Sequence, residues 1–344
     1  MRALELTYPW GAANLNVVER PDPTPGRGEV VVRMRAVSLN YRDTVIIAKG
    51  GYSAGAEGSP PVVPFSDGCG IIEAVGEGVT RVSVGDRVST LFFPNWHGGP
   101  PAPEKALGPL GSPGAPGAGR ELALFPENAV SRVPDYLTDH EVSTLACAAL
   151  TAWRALFVDA RLEPGDTVVL QGTGGVSIFG LQFAQAAGYR TIITSSSDEK
   201  LARAKQMGAT HLINYRTTPE WHRAVREATG NRGADFVMEV GGAGTLVRSL
   251  KSVRMGGHIA VIGLLTDRSV PPATLSASLM IGTSAKLQGV SVGSREMFEA
   301  MCRAMALHQI RPVIDRLMPW TEAPRAIEEM VDGNHFGKIV LAFD

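Results

Sequence analysis

The sequence predicts an α/β protein of two domains, one a doubly wound parallel sheet and the other a small β-barrel or sandwich. Three observations predict it. From residue 167 to residue 262, apolar strand-like runs alternate with helical stretches, the pattern of a parallel sheet buried on both faces. Before them, short β-branched runs are punctuated by Gly and Pro. The length of 344 residues is also long for one core, since single cores rarely grow past about 250–300 residues.

In order along the chain, residues 29–37, 70–76 and 87–91 read as strands. Between Pro94 and Arg120, 14 of 27 residues are Pro or Gly, which forbids regular helix or central strand and predicts a long surface loop. Residues 167–170 then form an apolar strand, followed by a Gly-rich turn and a helix over 176–187. Strands at 190–194 and 211–213 bracket a helix at 198–207, and a helix at 219–228 carries Pro219 in its first turn. Strands at 234–240 and 258–262 complete the alternation. Helices at 297–308 and 323–332 and a strand at 338–343 end the chain, with no internal repeat.

Composition removes several classes of function. Hydrophobic residues make up 44% and charged residues 19%, which suits a folded globular chain. A formal net charge of −1 gives no electrostatic footprint for nucleic acid or a membrane surface. Cys69, Cys147 and Cys302 are few, odd in number and scattered, so no disulfide framework is expected and a reducing compartment is the natural reading. No apolar run reaches the roughly 18 residues of a membrane span. Met1-Arg2-Ala3-Leu4-Glu5 lacks a secretory apolar region, and a cytoplasmic location is expected.

The strongest chemical signal is the turn Gly172-Thr173-Gly174-Gly175-Val176, set where a strand ends and a helix begins. Glycines there let the backbone turn tightly and approach a pyrophosphate, which the helix N-terminus favours. The spacing departs from the usual fingerprint, because Ser177 stands where a third glycine would be. The next strand runs into Ser195-Ser196-Ser197 with no carboxylate at its end, where an NAD site usually has one. Serine hydroxyls and Lys200 suit a 2′-phosphate, and Tyr215 with Arg216 could add a ring face and a second cation, so NADP (as NADPH) is favoured. The same serines also serve as caps for the helix beginning near Asp198, and Asp198 is itself an acid that could reach a ribose.

Several motifs now line up in order: Ser38-Leu39-Asn40-Tyr41-Arg42-Asp43, Gly68-Cys69-Gly70 through Gly76-Glu77-Gly78-Val79 to Gly85-Asp86-Arg87-Val88, Leu150-Thr151-Ala152-Trp153, the Gly172–Val176 turn, Asn214-Tyr215, and Gly337-Lys338-Ile339-Val340-Leu341. With them the chain resembles the medium-chain dehydrogenase/reductase superfamily over essentially its whole length, and within it the zinc-free, quinone oxidoreductase-like branch of alcohol dehydrogenase-like proteins. The resemblance implies a GroES-like β-barrel catalytic domain, residues 1–128 and 295–344, around a Rossmann dinucleotide-binding domain, residues 129–294. It also implies a homodimer whose Rossmann sheets meet edge to edge near residues 286–290.

Zinc-dependent relatives bind catalytic zinc through Cys, His and Cys. The matching positions here are Asn40, Ser66 and Cys147, and two neutral weak donors with one cysteine do not hold the ion. Arg42 stands where those relatives carry a relay hydroxyl, and residues 94–120 lack the four cysteines of a structural zinc lobe. A metal-free enzyme is expected. By resemblance, Asn40 lies near the nicotinamide and could donate a hydrogen bond to an enolate. Tyr52 resembles the tyrosine of enoyl reductases, as a proton donor or a lid of the pocket. Thr151 matches a position near the nicotinamide, and Gly263-Leu264-Leu265, following a strand, should pass beside the ring. Asp43 and Lys338 resemble a pair near the pyrophosphate, or an ordinary ion pair. Phe65, Phe92, Phe93 and Trp96 wall an apolar substrate cleft or fill the core.

Without a metal, hydride transfer to a quinone or to an α,β-unsaturated carbonyl is less demanding than alcohol oxidation, because the enolate needs only hydrogen bonds and a proton. The substrate expected is therefore a small apolar carbonyl compound or quinone. Two other readings remain: a zinc-free alcohol dehydrogenase or aldehyde reductase, and a non-catalytic NADPH-binding protein like the crystallin relatives that also touch RNA.

Overall fold

The β-branched run beginning at Glu29 becomes the spine of the first of two units. A computed structural model describes residues 1–51, 55–265 and 275–343, and divides the chain into Met1–Leu150 with Val292–Asp344, and Thr151–Ser291. In the first unit, β1 (Arg2–Leu6) and β2 (Leu15–Glu19) form a two-stranded antiparallel ribbon. The ten-residue β3 (Glu29–Ser38) leads into helix α1 (Tyr41–Lys49). It pairs antiparallel with β4 (Asp67–Val75), with register shifts at Val31/Val32 and Met34/Ala36 of the kind that bend a sheet toward closure. β5 (Arg87–Thr90) continues from β4, β6 (Leu122–Pro126) pairs with the first half of β3, and β7 (Val130–Arg132) pairs with β5. Helix α2 (Asp139–Val142) follows, started by a Thr138–Glu141 capping box.

Two expectations need correction here. Residues 94–120 hold no α-helix or sheet strand, only a 3-10 turn at Pro103–Ala106, but they do not all lie on the surface. Trp96, Leu110 and Ala118 are buried, and the Gly111 and Gly117 backbones press so closely on Pro64 and Phe65 that a Cβ would have no room. The first unit also runs on to Leu150 rather than ending at 128, because β7 completes its sheet and the segment Asp139–Ala149 packs on β3, β4 and β5.

The chain passes through α3 (Leu150–Trp153), flanked by the π-wound turns Leu145–Ala149 and Arg154–Asp159. The second unit then alternates: β8 (Thr167–Gln171), α4 (Gly175–Ala186), β9 (Arg190–Ser195), α5 (Asp198–Gln206), β10 (His211–Asn214), α6 (Trp221–Ala228), β11 (Ala234–Glu239), α7 (Leu246–Ser252), β12 (Val253–Val261), α8 (Ala277–Thr283) and β13 (Lys286–Gly289). Every pairing is parallel and the strand order is β10-β9-β8-β11-β12-β13. The first strand of the unit therefore sits centrally, with the reversal between β8 and β11. Ligands of such sheets bind at the carboxyl ends of the strands beside that reversal. β8 and β11 are buried along their whole length, which is why they read as unbroken apolar runs. Pro219 falls just outside α6, which begins at Trp221.

The chain returns to the first unit with α9 (Arg295–His308), β14 (Ile314–Pro319), α10 (Ala323–Asp332) and β15 (Lys338–Ala342). β15 pairs antiparallel with the end of β3 and parallel with β14, giving a seven-stranded sheet. Its core joins Leu4, Val32, Met34, Phe65 and Phe125 to Trp320, Ile339 and Leu341 from the returning segment. The pairing sets Val340 opposite Ser38, so Lys338 arrives where β3 gives way to α1. Among the described residues no helix is long and apolar enough to cross a membrane.

Candidate active site

Asn40 is the N-cap of α1, with extended backbone. An asparagine there ordinarily spends its side-chain oxygen on the helix's first amides. Here Asn40 and Asp43 form a capping box, the Asn40 side chain set toward the Asp43 backbone N–H. Asp43 closes the box, and its Oδ2 accepts the Asn40 backbone N–H at 2.7 Å. Asn40 Oδ1 also accepts from Lys338 Nζ at 2.6 Å, and the same ammonium donates to the Leu39 carbonyl at 2.5 Å. An ammonium can only donate, so the amide's orientation is fixed: the oxygen faces Lys338 and Nδ2 faces away. That Nδ2 is buried and has no hydrogen-bond partner among the described residues.

Lys338 is 2% exposed, and desolvation pulls its pKa below the ordinary value, against the pull of Asp67, Cys147 and Asp43. Asp43 is fully buried, and its carboxyl is pushed up to about 6 by desolvation, opposed by Arg42 and by the Asn40 N–H. Asp43 and Lys338 do not form the direct ion pair expected. The Asp43 oxygens go to the Asn40 N–H and to within 3.9 Å of the Arg42 guanidinium, whereas Lys338 is taken by Leu39 and Asn40. Arg42 is itself buried, donating to Leu110 O at 2.7 Å and Ser112 Oγ at 2.6 Å, with its guanidinium 4.6 Å from the Phe92 ring centre. Phe92, Phe93 and Trp96 form a chain of ring contacts, and Phe65 is wholly buried with a left-handed backbone (φ 70°).

Ser66 and Cys147 share one anchor that sequence reasoning missed. Asp67, fully buried, accepts Ser66 Oγ at 2.6 Å on one oxygen and the Cys147 backbone N–H at 2.9 Å on the other. The available signal was a carboxylate at the start of the strand, ahead of the small and apolar run Gly68–Ile72. This set does not fit a zinc ion. Asn40 presents its oxygen to an ammonium and Ser66 donates to Asp67, so two of the three matching positions offer neutral groups already engaged elsewhere.

In the second unit, Gly172 takes φ 71°, a left-handed value that glycine adopts freely, and a Cβ at Gly172 or Gly174 would meet nothing within 4 Å. The α4 N-terminus at Gly174 has no side-chain cap, leaving the first-turn amides of Gly175, Val176 and Ser177 for an anion. Ser177, at the third glycine position, donates to Gln171 O at 2.6 Å, so its hydroxyl serves the turn itself. These features fit a pyrophosphate. Thr173 is buried beside them, and Thr151 is buried at the start of the unit.

At the end of β9, Ser195 Oγ accepts the Ser197 N–H and Ser197 Oγ caps α5 through the Lys200 N–H, both at 3.3 Å. Ser196 takes no part in that cap. Asp198, the acid that could have served a ribose, accepts from Asn214 Nδ2 at 2.7 Å. Tyr215 is exposed one residue on, as are Leu264 and Leu265 after β12. Gly263 packs so tightly on Val240 that a Cβ would lie 2.0 Å from the Val240 carbonyl. Sequence reasoning also missed Glu239, a buried carboxylate ending β11. It accepts from Gln171 Nε2, Ser249 Oγ, Thr245 Oγ1 and the Gly241 and Gly242 amides. Tyr52, the expected proton donor, lies outside the described residues.

Two family descriptions match successive parts of the chain. Residues 26–135 match the family described as alcohol dehydrogenase GroES-like domain, and residues 175–306 match that described as zinc-binding dehydrogenase. The chain is 41% identical to a zinc-type alcohol dehydrogenase-like protein of Schizosaccharomyces pombe, covering 92% of this chain and 91% of that one. It is 30% identical to a 2-haloacrylate reductase of a Burkholderia species, covering 92% of each. Among solved structures it is similar to an NAD-dependent alcohol dehydrogenase (29% identity, TM-score 0.87, 99% of each chain) and to a mycobacterial protein in complex with NADPH (29%, TM-score 0.82, 99% and 100%).

The Asp43 carboxyl gives a pH prediction. Its pKa is raised from 3.8 to about 6 on folding, so the folded state holds the proton more tightly. The stability this group contributes is therefore present at low pH and lost as pH rises from about 4 through about 6. Asp43→Asn, which keeps an acceptor for the Asn40 N–H, should gain stability relative to the wild type across that window and hold the gain above it. Denaturant unfolding at pH 4, 5, 6 and 7 reads the difference, and a constant difference would show that Asp43 does not titrate there.

Proposed function

The chain belongs to the zinc-type alcohol dehydrogenase-like proteins of the medium-chain dehydrogenase/reductase superfamily, a group of NAD(P)-dependent oxidoreductases, and from that premise we propose that it is an NADPH-dependent reductase of quinones or α,β-unsaturated carbonyl compounds that works without zinc. The observation that carries this reading is Asn40 Nδ2, a buried donor with its oxygen held and no acceptor of its own. Such a donor suits a carbonyl oxygen that gains negative charge as the conjugated system accepts a hydride. NADPH, when bound, supplies that hydride. An alcohol oxidation would call for a base or a Lewis acid at the same oxygen, and Asn40 is neither.

For the cofactor, Gly172, Thr173, Gly174, Gly175 and Val176 receive the pyrophosphate on backbone amides. Ser195, Ser196, Lys200 and Tyr215 receive the adenosine 2′-phosphate, Asp198 being engaged by Asn214. Thr151, Gly263, Leu264 and Leu265 flank the nicotinamide. Three unpaired cysteines suit a cytoplasmic enzyme. The β13 edge, Lys286–Gly289, which has no further strand beside it among the described residues, suits pairing with a second copy in a homodimer.

Three experiments test these statements. NADPH oxidation should be seen with quinones and enones well above NADP reduction with simple alcohols, should survive a strong chelator, and should fall by about 10²–10³-fold in kcat in Asn40→Ala, as for loss of one oxyanion donor. Turnover confined to alcohols, or lost along with one zinc per chain, would overturn the reading. Lys200→Ala should weaken NADPH far more than NADH, by about 1.5–3 kcal/mol for a charge-assisted contact, whereas equal effects would put the 2′-phosphate elsewhere. Light scattering at micromolar concentration should give twice the chain mass, and a monomer would count against the edge pairing.

A further inference from the structure

We propose that Lys338 is a positioning residue that acts through Asn40: its buried ammonium locks the amide with the donor outward and sets a positive charge behind it. The proposal rests on the reductase reading above and deepens it by naming what prepares the hydrogen-bond donor. Three facts support it. Lys338 Nζ reaches Asn40 Oδ1 at 2.6 Å and Leu39 O at 2.5 Å, so two of its three protons are committed inside the first unit. The side chain is 2% exposed, which leaves it little access to a diphosphate in solvent. Its charge is balanced by Asp43 and Asp67, which are fully buried.

The consequence is a chain of hydrogen bonds with a cation at one end. An ammonium on Oδ1 draws electron density from the amide, which strengthens Nδ2–H as a donor, because hydrogen bonds in series polarise one another in a low-dielectric interior. A neutral side chain at residue 338 would leave the amide free to turn its oxygen toward the substrate carbonyl, where two acceptors would repel. Asn40 and Cys147 match metal-ligand positions of zinc-dependent relatives, and both neighbour this ammonium. The cation that helps to draw charge onto the substrate oxygen is therefore supplied by the protein itself, one amide removed.

The test is a double-mutant cycle with Asn40→Ala, Lys338→Met and the double variant, measuring kcat on an enone or quinone at saturating NADPH and, separately, the Kd for NADPH by fluorescence titration. Lys338→Met should lower kcat by about 10–100-fold and leave the NADPH Kd within about twofold. The double variant should be no worse than Asn40→Ala alone, since both changes remove one device. A second readout needs no turnover: the side-chain amide resonances of Asn40 in the protein without cofactor should move in Lys338→Met and return toward the wild-type position in Lys338→Arg. Where Lys338→Met does not fold, Lys338→Gln and Lys338→Arg carry the same comparison. Multiplying losses in the double variant, an NADPH Kd raised tenfold or more with kcat retained, or unmoved Asn40 resonances would each overturn the proposal. Failure to reduce any enone or quinone would sink the reductase reading alone, because the resonance comparison still decides the role of Lys338.

Discussion

A primary ammonium that keeps only 2% of its surface exposed has given up most of its hydration, and the protein must replace it with fixed acceptors and opposite charge. Lys338 finds the Leu39 carbonyl, the Asn40 side chain and the fields of Asp43 and Asp67. Much of the first unit's polar interior follows from meeting that demand. β15 must pair with β3 in the register that brings Lys338 beside the β3–α1 junction. Asp43 closes the capping box of α1 from its third position, holding the Asn40 backbone while the Asn40 oxygen also meets the ammonium. Asp67 must be held at both oxygens, which Ser66 and the Cys147 backbone do. These residues form one unit of chemistry although they come from four separate stretches of chain.

The second unit solves the mirror problem with a buried anion. Glu239 ends β11 next to the strand reversal, and the donors named above come from β8, from α7 and from the loop joining β11 to α7. Gln171, the last residue of β8, donates to that carboxylate and accepts from the Val240 and Gly241 amides. The Gly-rich turn therefore springs from a strand whose final side chain is tied to the next strand. Turns able to receive a pyrophosphate need this rigidity, since a loop left free would have to be ordered by its ligand at a cost in affinity.

Elements were legible in the sequence wherever the signal was local. The apolar alternation predicted the parallel sheet to within a residue or two at most strands, and the Gly172–Val176 turn runs from the end of β8 into the first residues of α4. Asn40 and Lys338 were both picked out, but not their contact, which spans 298 residues of chain and depends on the β15–β3 register. The Asp43–Lys338 pairing failed for a related reason: residue types show which charges are available, and only packing decides which of them meet. Asp67 and Glu239 were passed over because each looked like an ordinary strand residue. Where a strand is buried, as β11 is along its length and β4 is over its first four residues, a carboxylate is costly enough to signal a built site. The long Pro/Gly stretch misled in the other direction, since lack of regular structure does not mean exposure when glycines allow backbones to touch.

The same constraint bears on the reaction. A metal can hold an alkoxide and so serve both directions of alcohol chemistry, because its charge contacts the reacting oxygen directly. An amide backed by an ammonium stabilises negative charge only through a hydrogen bond, which is weaker and depends strongly on orientation. It suits a substrate whose oxygen becomes charged by delocalisation, where the hydride arrives at a distant carbon and the enolate shares its charge over three atoms. On the proposed reading, the exchange of two of a metal's three ligands for Asn40 and Ser66 has moved the cation one group back, and with it the chemistry from alkoxides toward conjugated carbonyls.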